Sequence, residues 1–387
     1  MFALFNRARK GLHVLILPVF ALALAACDTL PTTGVGGGTG EVVQVALLVP
    51  SGSGRSTDAL LAQSLENAAR LAMRDLRGAQ VDLRVYQTAG DASLAAANAK
   101  KAVDEGAKII IGPVYAAAAN AAGKAVAGSG VNVLSFSNNA AIAGGNLFVL
   151  GPTFQNTANR MASFAACQGK QRVVVVYGDD VAGQQGRTAI ERAVAAQGGT
   201  VVASEGYALS QQDVIGAIPR IKSAVSDNGA DMIFFTTDSA TALPLLSQLL
   251  PESGVTSEVA QFVGLTRWDI PPQTLSLPGV QNGWFAVPDD RATSAFGSQY
   301  QSAYDTAPHP IGGLAFDAIA AIGALTSQGN TLSAAALTQT AGYRGASGIF
   351  RLNADGTNSR GLAVATIVDA QVQILSPAPQ SFGTAGF

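Results

Sequence analysis

The chain has 387 residues, of which 24 are Lys or Arg and 26 are Asp or Glu, so its net charge is −2. A mildly acidic chain without basic runs is a poor candidate for nucleic-acid binding, and we expect no nucleic-acid partner. It has only two cysteines, Cys27 and Cys167, so the fold is not expected to depend on disulfides. Cys167 lies in a helical pattern, where burial as a small apolar residue is expected.

The N terminus predicts export. Arg7, Arg9 and Lys10 precede a 16-residue apolar run that ends just before Cys27. A charged region, a short apolar stretch and small residues at the cleavage point define a secretory signal peptide, here residues 1–26. The run is shorter than the roughly 20 residues that span a bilayer. Removal of its three cations leaves a net charge near −5.

The sequence Leu24-Ala25-Ala26-Cys27 resembles a bacterial lipobox, which implies lipidation of Cys27 and a membrane contact through the lipid. The alternative is an ordinary signal peptide with a chance cysteine. The resemblance also implies that Asp28 favours retention at the inner membrane, on its periplasmic side. Residues 27–40 are rich in Gly and Thr and predict a flexible tether. Their GVGGGTG segment lacks a preceding strand and a following Lys, which disfavours a phosphate-binding loop.

After the tether, strands and helices alternate for about 100 residues. This alternation predicts an α/β fold with a doubly wound parallel sheet. The predicted elements are strands at 41–49, 81–86, 109–111 and 131–134, and helices at 56–76, 92–105 and 115–127.

A short strand at 147–149 and Gly151-Pro152 end this series, and the rhythm then restarts. The second series needs a core of its own, so two similar lobes with a cleft between them are expected. Its predicted elements are helices at 160–168, 183–197, 211–226 and 239–250, and strands at 173–177, 200–204, 232–235 and 261–263. Further on come a strand at 283–287, helices at 292–304 and 313–326, and strands at 347–352, 362–368 and 372–375.

The order of these pieces resembles the type I periplasmic binding proteins of the leucine/isoleucine/valine-binding group. The resemblance rests on VALLVPSGSG, IIIGPVYA, VNVLSFSNN, RVVVVYGDD, DMIFFTTDSA, GLAFDAIAAI and FRLNADGTNSRG, in that order. It implies a two-lobed fold with a parallel sheet in each lobe, flanked by helices, and three crossings between the lobes. The implied boundaries are 41–376 for the fold, about 41–150 and 288–340 for the first lobe, about 151–287 and 341–376 for the second, and 377–387 for a tail.

A second resemblance is to bacterial penicillin-binding protein activators of the LppC/LpoA type, which regulate a peptidoglycan synthase. It is carried by GLTRWD, LPGVQNGWFAVPDD, SQYQSAY and PHPIGGLAFDAIA. The best-known members also carry an N-terminal helical-repeat domain, which has no counterpart in this sequence.

Catalysis is not expected, and no catalytic residue, cofactor or metal site is predicted. His13 lies in the signal peptide, and His309 stands between Pro308 and Pro310 in a predicted loop. The chain has no GxSxG elbow, no HExxH motif and no His/Cys cluster with metal spacing. Asp179 and Asp180 are adjacent. They can be interpreted either as paired catalytic acids or as part of a solvated loop.

Ligands of open α/β sheets bind at the carboxyl ends of the strands, which makes the loops there the candidate site. In the family resembled, a hydroxyl follows the GP of the third strand and a Glu binds the ligand ammonium. Here those positions carry Ala116 and either Thr266 or Arg267, so most of the amino-acid clamp is missing. The candidate ligand-binding residues are Ser51, Tyr115, Ala116, Ser135, Ser137, Asn139, Asp179, Thr237, Arg267 and Trp268.

Two of these candidates keep alternatives. Arg267 and Trp268 could contact an anionic or sugar-like ligand, or Trp268 could pack in the core beside a solvated Arg267. Tyr115 could form a ligand wall or pack at the hinge. The sequence predicts a lipid-anchored periplasmic protein that closes a cleft on a small ligand, an amino acid or a cell-wall-related molecule. Its implied partner is an ABC permease for uptake; the competing prediction is a regulator that contacts a peptidoglycan synthase.

Overall fold

The computed structural model describes residues 42–383. The predicted signal peptide, Cys27 and the predicted tether therefore lie outside the described residues. No helix within 42–383 is both long enough and apolar enough to cross a membrane.

The first lobe is built on a five-stranded parallel sheet with strand order β2-β1-β3-β4-β5. Ile109–Ile111 forms its central strand β3 and is fully buried, as expected for a strand covered on both faces. The elements are β1 (Val42–Val49), α1 (Ser56–Arg74), β2 (Gln80–Gln87), α2 (Ala92–Asp104), β3 (Ile109–Ile111), α3 (Ala116–Val126), β4 (Asn132–Ser135) and β5 (Leu147–Val149).

The chain then enters the second lobe, where the alternation repeats as predicted. The elements are α4 (Phe154–Cys167), β6 (Arg172–Gly178), α5 (Val181–Ala196), β7 (Thr200–Tyr207), α6 (Gln211–Asn228), β8 (Met232–Phe235), α7 (Leu243–Glu252), β9 (Gln261–Gly264) and β10 (Trp284–Val287). Strands β10, β9, β8, β6 and β7 are parallel neighbours in that order.

The last third of the described chain returns to the first lobe and then crosses once more. Its elements are α8 (Asp290–Tyr304), α9 (Gly313–Thr326), α10 (Ala334–Leu337), β11 (Tyr343–Gly345), β12 (Gly348–Leu352), β13 (Asn358–Arg360), β14 (Ala363–Val368) and β15 (Gln371–Ser376). Helices α8 and α9 pack against α1. Strands β11–β13 form a small antiparallel sheet, whereas β14 pairs antiparallel with β10 and β15 lies at the edge.

Each lobe has its own core on both faces of its sheet. Val45 and Leu47 of β1 lie in one apolar cluster, and Ala46 and Leu48 lie in another on the opposite face. In the second lobe, residues 173–176 of β6 alternate between two further clusters in the same way. This period of two is what a strand buried on both faces requires. The architecture is the predicted two-lobed type I periplasmic binding fold.

The third crossing lies later than the resemblance implied. Tyr343 and Phe350 pack in the same core as Ile111, in the first lobe, whereas Ala365 packs in the second. The chain therefore crosses after β13, near residue 361, and not near residue 340. The small sheet stays with the first lobe because its aromatic side chains are buried there.

The start of α4 and the burial of Cys167 were predicted wrongly. Helix α4 begins at Phe154, not at residue 160, because Thr153 and Asn156 form a reciprocal capping box that the apolar pattern does not reveal. Cys167 ends this helix and is exposed, not buried.

Candidate functional site

A cavity of about 530 Å³ lies where the two lobes meet. The loop after β4 contributes residues of the first lobe, and helices α4 and α5 contribute residues of the second. The lining residues are Asn138, Asn139, Ala140, Ala141, Thr153, Phe154, Gln155, Gln184, Gln185, Thr188, Ala189, Arg192 and Thr357.

Eight of the thirteen residues that line this inter-lobe cavity carry an amide or a hydroxyl group. Arg192 is the only charged side chain in the lining, and no carboxylate is part of it. The nearby acid Asp179 is exposed and accepts a hydrogen bond from Gln184 Nε2 at 2.9 Å. The cavity can therefore bind an uncharged polar group or an anion, but it offers no counter-charge to a buried ammonium.

The cavity wall from the first lobe is held in shape by three of the predicted residues. Ser135 Oγ donates to the Pro113 carbonyl at 3.0 Å and accepts from the Ser137 amide at 3.1 Å. Ser137 Oγ accepts from the Asn139 amide at 3.1 Å. Both serines are buried, so they position the loop instead of presenting hydroxyls. Asn139 lines the cavity, and its Oδ1 accepts from the Ala141 amide at 3.0 Å.

The end of β3 presents backbone donors. Tyr115 precedes α3, and no side chain caps this helix. The first amides of the helix, beginning at Ala116, are thus without the side-chain acceptor that N-caps usually provide. An uncapped helix start favours an anionic group beside it.

Tyr115 belongs to a network that the sequence did not predict. Its hydroxyl donates to Asp58 Oδ1 at 2.6 Å, and Arg55 donates to Asp58 Oδ2 from Nε at 3.0 Å and from Nη2 at 2.6 Å. The Arg55 guanidinium lies 5.8 Å from the centre of the Tyr115 ring. The Asp58 side chain is 4% exposed, whereas that of Arg55 is 61% exposed.

The network sets the charge state of Asp58. Burial on its own raises the pKa of this carboxyl, but hydrogen bonds from Tyr115, Ser53 and Arg55 outweigh burial and hold the pKa below its usual value. The pKa of Tyr115 is raised, mainly by its hydrogen bond to Asp58 and to a lesser extent by burial. Asp58 is therefore a carboxylate and Tyr115 a neutral donor near neutral pH.

The remaining predicted residue of the first lobe, Ser51, follows β1. It is half-buried, and its carbonyl accepts from the Ala89 amide at 3.0 Å. This bond ties the loop after β1 to the loop after β2. Ser51 lies outside the lining of the inter-lobe cavity.

In the second lobe, Thr237 follows β8 and is buried. Its hydroxyl lies 3.1 Å from Thr241 Oγ1, and its carbonyl accepts from Thr266 Oγ1 at 3.0 Å. The loops after β8 and β9 are therefore joined, and Thr237 serves that junction.

Arg267 and Trp268 follow β9. Both oxygens of Asp269 accept hydrogen bonds from Arg267, with Nε 2.9 Å from Oδ1. Trp268 is 0% exposed, and its ring lies 6.2 Å from Phe235 and 6.3 Å from Phe285. The structure thus corresponds to the core-packing alternative for Trp268, and it leaves no surface of the ring for a ligand.

The structure brings only part of the predicted set together. Asn139 lines the inter-lobe cavity, and Asp179 touches it through Gln184. Sequence reasoning missed the cavity residues of α5 and the Asp58 network. The spacing of Arg55 and Asp58 at a helix start was a usable signal for that ion pair; the contact with Tyr115 was not visible locally. Within residues 42–383, no group of three or more His, Cys, Asp or Glu could hold a metal ion.

Comparison with known proteins agrees with this fold. Residues 42–371 match the family described as periplasmic binding protein. The chain belongs to the periplasmic binding protein family. No curated protein matches its sequence.

Solved structures are similar over nearly the whole described chain. A Rhodospirillum rubrum protein, described as a branched-chain amino acid ABC transporter, is 19% identical with a TM-score of 0.72, covering 86% of this chain and 99% of its own. A Desulfitobacterium hafniense ABC transporter substrate-binding protein in complex with Leu is 19% identical with a TM-score of 0.61. The match covers 87% of this chain and 100% of that protein.

An R. palustris solute-binding protein in complex with benzoate is 17% identical with a TM-score of 0.55, covering 89% of this chain and 98% of its own. At these identities the likeness concerns the fold alone. The likeness to penicillin-binding protein activators finds no support in these comparisons.

Proposed function

We propose that this chain is a periplasmic solute-binding protein that closes its two lobes on a small solute, for uptake through an ABC permease or for sensing. The observation that carries the proposal is the inter-lobe cavity, which is lined by residues of both lobes. A ligand bound there would contact both walls, and hinge motion at the three crossings would close them. Membership of the periplasmic binding protein family supports this function.

We further propose that the solute carries a carboxylate and no ammonium group. Arg192 gives the cavity a positive charge without a facing acid. The amide and hydroxyl lining then serves the polar remainder of the ligand. The benzoate complex of the similar R. palustris protein is an example of such a ligand in this fold.

The test is a thermal-shift and calorimetric screen of the full chain with leucine, benzoate, 4-hydroxybenzoate and muropeptides. A ligand that binds the native state raises the melting temperature by mass action. We expect a carboxylate without an ammonium group to give a larger shift than leucine. Arg192→Met should weaken its binding at least about tenfold, the loss expected when a hydrogen bond to a charged group is removed.

The matched control is Arg172→Met. Arg172 lies at the start of β6, outside the cavity, and its guanidinium donates to the Gly229 and Asn228 carbonyls. The Arg172→Met substitution removes the same positive charge and should leave the affinity for the solute unchanged. Equal binding by the Arg192→Met variant and the unaltered chain would overturn the ligand class. Absence of binding by every solute, with capture of a peptidoglycan synthase, would replace solute binding by the regulatory function.

We also propose that Cys27 carries the lipid anchor. The proposal rests on the lipobox-like sequence, which lies outside the described residues. Fractionation of cells should find the chain with membranes and the Cys27→Ser variant in the soluble periplasmic fraction. A Cys27→Ser variant that stays in the membrane fraction would contradict lipidation at this residue.

A further inference from the structure

A second cavity, of about 290 Å³, lies between α4, β13 and the segment that follows β15. We call it the hinge cavity, because α4 belongs to the second lobe and β13 to the first. It shares no lining residue with the inter-lobe cavity. Its lining residues are Asn156, Asn159, Arg160, Ser163, Ser359, Arg360, Ser376, Pro377 and Pro379.

Arg160 brings an uncompensated positive charge to the hinge cavity. Its Nε donates to the Leu362 carbonyl at 2.7 Å, and its Nη2 donates to Ser376 Oγ at 2.6 Å. None of the eight ion pairs among the described residues includes it. Arg160 is half-buried, and burial lowers its pKa. Its hydrogen-bond acceptors are neutral, so none of them supplies a counter-charge.

Arg360 brings a buried hydrogen-bond donor without an acceptor. Its side chain is 4% exposed and pairs with Asp317, with both Nη atoms 3.1 Å from Oδ2. Nη1 also donates to Ser347 Oγ, and Nη2 to the Leu150 carbonyl. Nε has no partner among the described residues. Buried donors of this kind are rare in native proteins.

Three other side chains of the cavity also offer donors. Asn159 Oδ1 already accepts from Gln155 Nε2 at 2.8 Å, which leaves the Asn159 amide nitrogen for a ligand. Ser163 and Ser376 add hydroxyls, and the lining contains no carboxylate. Asp317 neutralises Arg360, so the net charge of the cavity is the single positive charge of Arg160. Donors around one net positive charge match the chemistry of an oxyanion.

We propose that the hinge cavity binds a small oxyanion, a carboxylate, phosphate or sulfate group, separately from the ligand of the inter-lobe cavity. Arg160 supplies the counter-charge, and the Asn159 amide donates a hydrogen bond. The volume is sufficient for a small anion. Since the lining comes from both lobes, the anion would bridge them beside the third crossing.

The test is a calorimetric titration of the full chain with acetate, phosphate and sulfate, each at ionic strength balanced with sodium chloride. We expect saturable binding of at least one of the three, and the one that binds tightest identifies the group. Arg160→Met should weaken this binding at least about tenfold, whereas Arg172→Met should not change it. If none of the three anions gives a binding signal above that of the chloride control, the proposed site is overturned.

Arg160 also holds the Leu362 carbonyl, so a second variant keeps the test independent of folding. Asn159→Asp keeps the acceptor for Gln155 and places a carboxylate in the cavity. We expect this variant to retain the circular dichroism spectrum of the unaltered chain. Its affinity for the anion should fall at least about tenfold because of charge repulsion. Unchanged anion binding in Asn159→Asp would overturn the proposal. If Arg192→Met abolishes the anion binding and Asn159→Asp does not, the anion binds in the inter-lobe cavity and the proposal is also overturned.

Discussion

Two regions of this molecule, each at the ends of strands, place an arginine beside an aromatic residue. They are built in opposite ways. At the ends of β1 and β3, Arg55 lies over the half-buried ring of Tyr115. At the end of β9, Arg267 is adjacent in sequence to Trp268, whose ring is 0% exposed. Each arginine pairs with an aspartate close to it in sequence.

The two aspartates are used differently. Asp58 is buried and uses its second oxygen to accept the Tyr115 hydroxyl, which holds that ring at the edge of the first lobe. Asp269 gives both oxygens to Arg267. Trp268 packs in the core, where its Nε1 has no hydrogen-bond partner among the described residues and a Cβ on Gly283 would lie 2.3 Å from the ring. An arginine beside an aromatic residue at a strand end therefore belongs to a surface network in one lobe and flanks the core in the other.

The largest expected effect tests the role of Trp268 as core. Trp268→Ala should lower the free energy of unfolding by about 3–5 kcal/mol, because it leaves a cavity among Phe235 and Phe285. Chemical denaturation measures this loss. The folded variant should bind the solute of the inter-lobe cavity with unchanged affinity, and a loss of affinity without a loss of stability would place Trp268 in the site instead.

The next effect tests the network of Asp58. Asp58→Ala leaves the Tyr115 hydroxyl and the Arg55 guanidinium without their acceptor, and should cost about 1–3 kcal/mol in unfolding free energy. Tyr115→Phe removes one hydrogen bond only and should cost about 0.5–1.5 kcal/mol. Denaturation curves of the two variants give both values, and a Tyr115→Phe loss larger than that of Asp58→Ala would show that the network is not centred on the acid.

The pH dependence of the same network is a smaller effect with a fixed sign. The pKa of Asp58 is lower in the folded chain than its ordinary value of 3.8. Its contribution to stability is therefore fully present above pH 3.8 and is lost as the pH falls through the folded pKa. Comparison with Asp58→Asn isolates this contribution: the stability gap between the unaltered chain and the variant should shrink below pH 3.8. A gap that widens on acidification would contradict the network.

The smallest effect tests the exposed pair of the second lobe. Arg267→Gln should change the unfolding free energy by about 0–1 kcal/mol, as for other solvent-exposed ion pairs. It should leave solute affinity unchanged, because Arg267 lies outside the inter-lobe cavity and is neutralised by Asp269. Calorimetry of the variant beside Arg192→Met makes the comparison direct. A tenfold loss of affinity in Arg267→Gln would move the anion contact to the end of β9.

Local patterns predicted most of the fold and little of the site. Strands Ile109–Ile111 and Met232–Phe235 and helix Gly313–Thr326 have the predicted bounds, because apolar runs and helical spacing are properties of adjacent residues. The lobe of residues 343–352 was not predictable, since it depends on which core takes their aromatic side chains.

The site depends on contacts between distant parts of the chain. Tyr115 meets Asp58 from 57 positions away, and the hydroxyl of Ser135 turns inward to the Pro113 carbonyl of the neighbouring strand end. A serine at a strand end looks the same in sequence whether it bonds a ligand or a loop. Only the register of β3 against β4 separates the two roles.

The central claim is that the two lobes close on a solute bound between them. Small-angle X-ray scattering of the full chain, with and without the tightest-binding carboxylate of the screen, tests it most directly. The account predicts a smaller radius of gyration at saturating ligand, and a decrease in Arg192→Met whose midpoint lies at a ligand concentration at least about tenfold higher. Scattering curves that coincide with and without saturating ligand would contradict closure of the cleft.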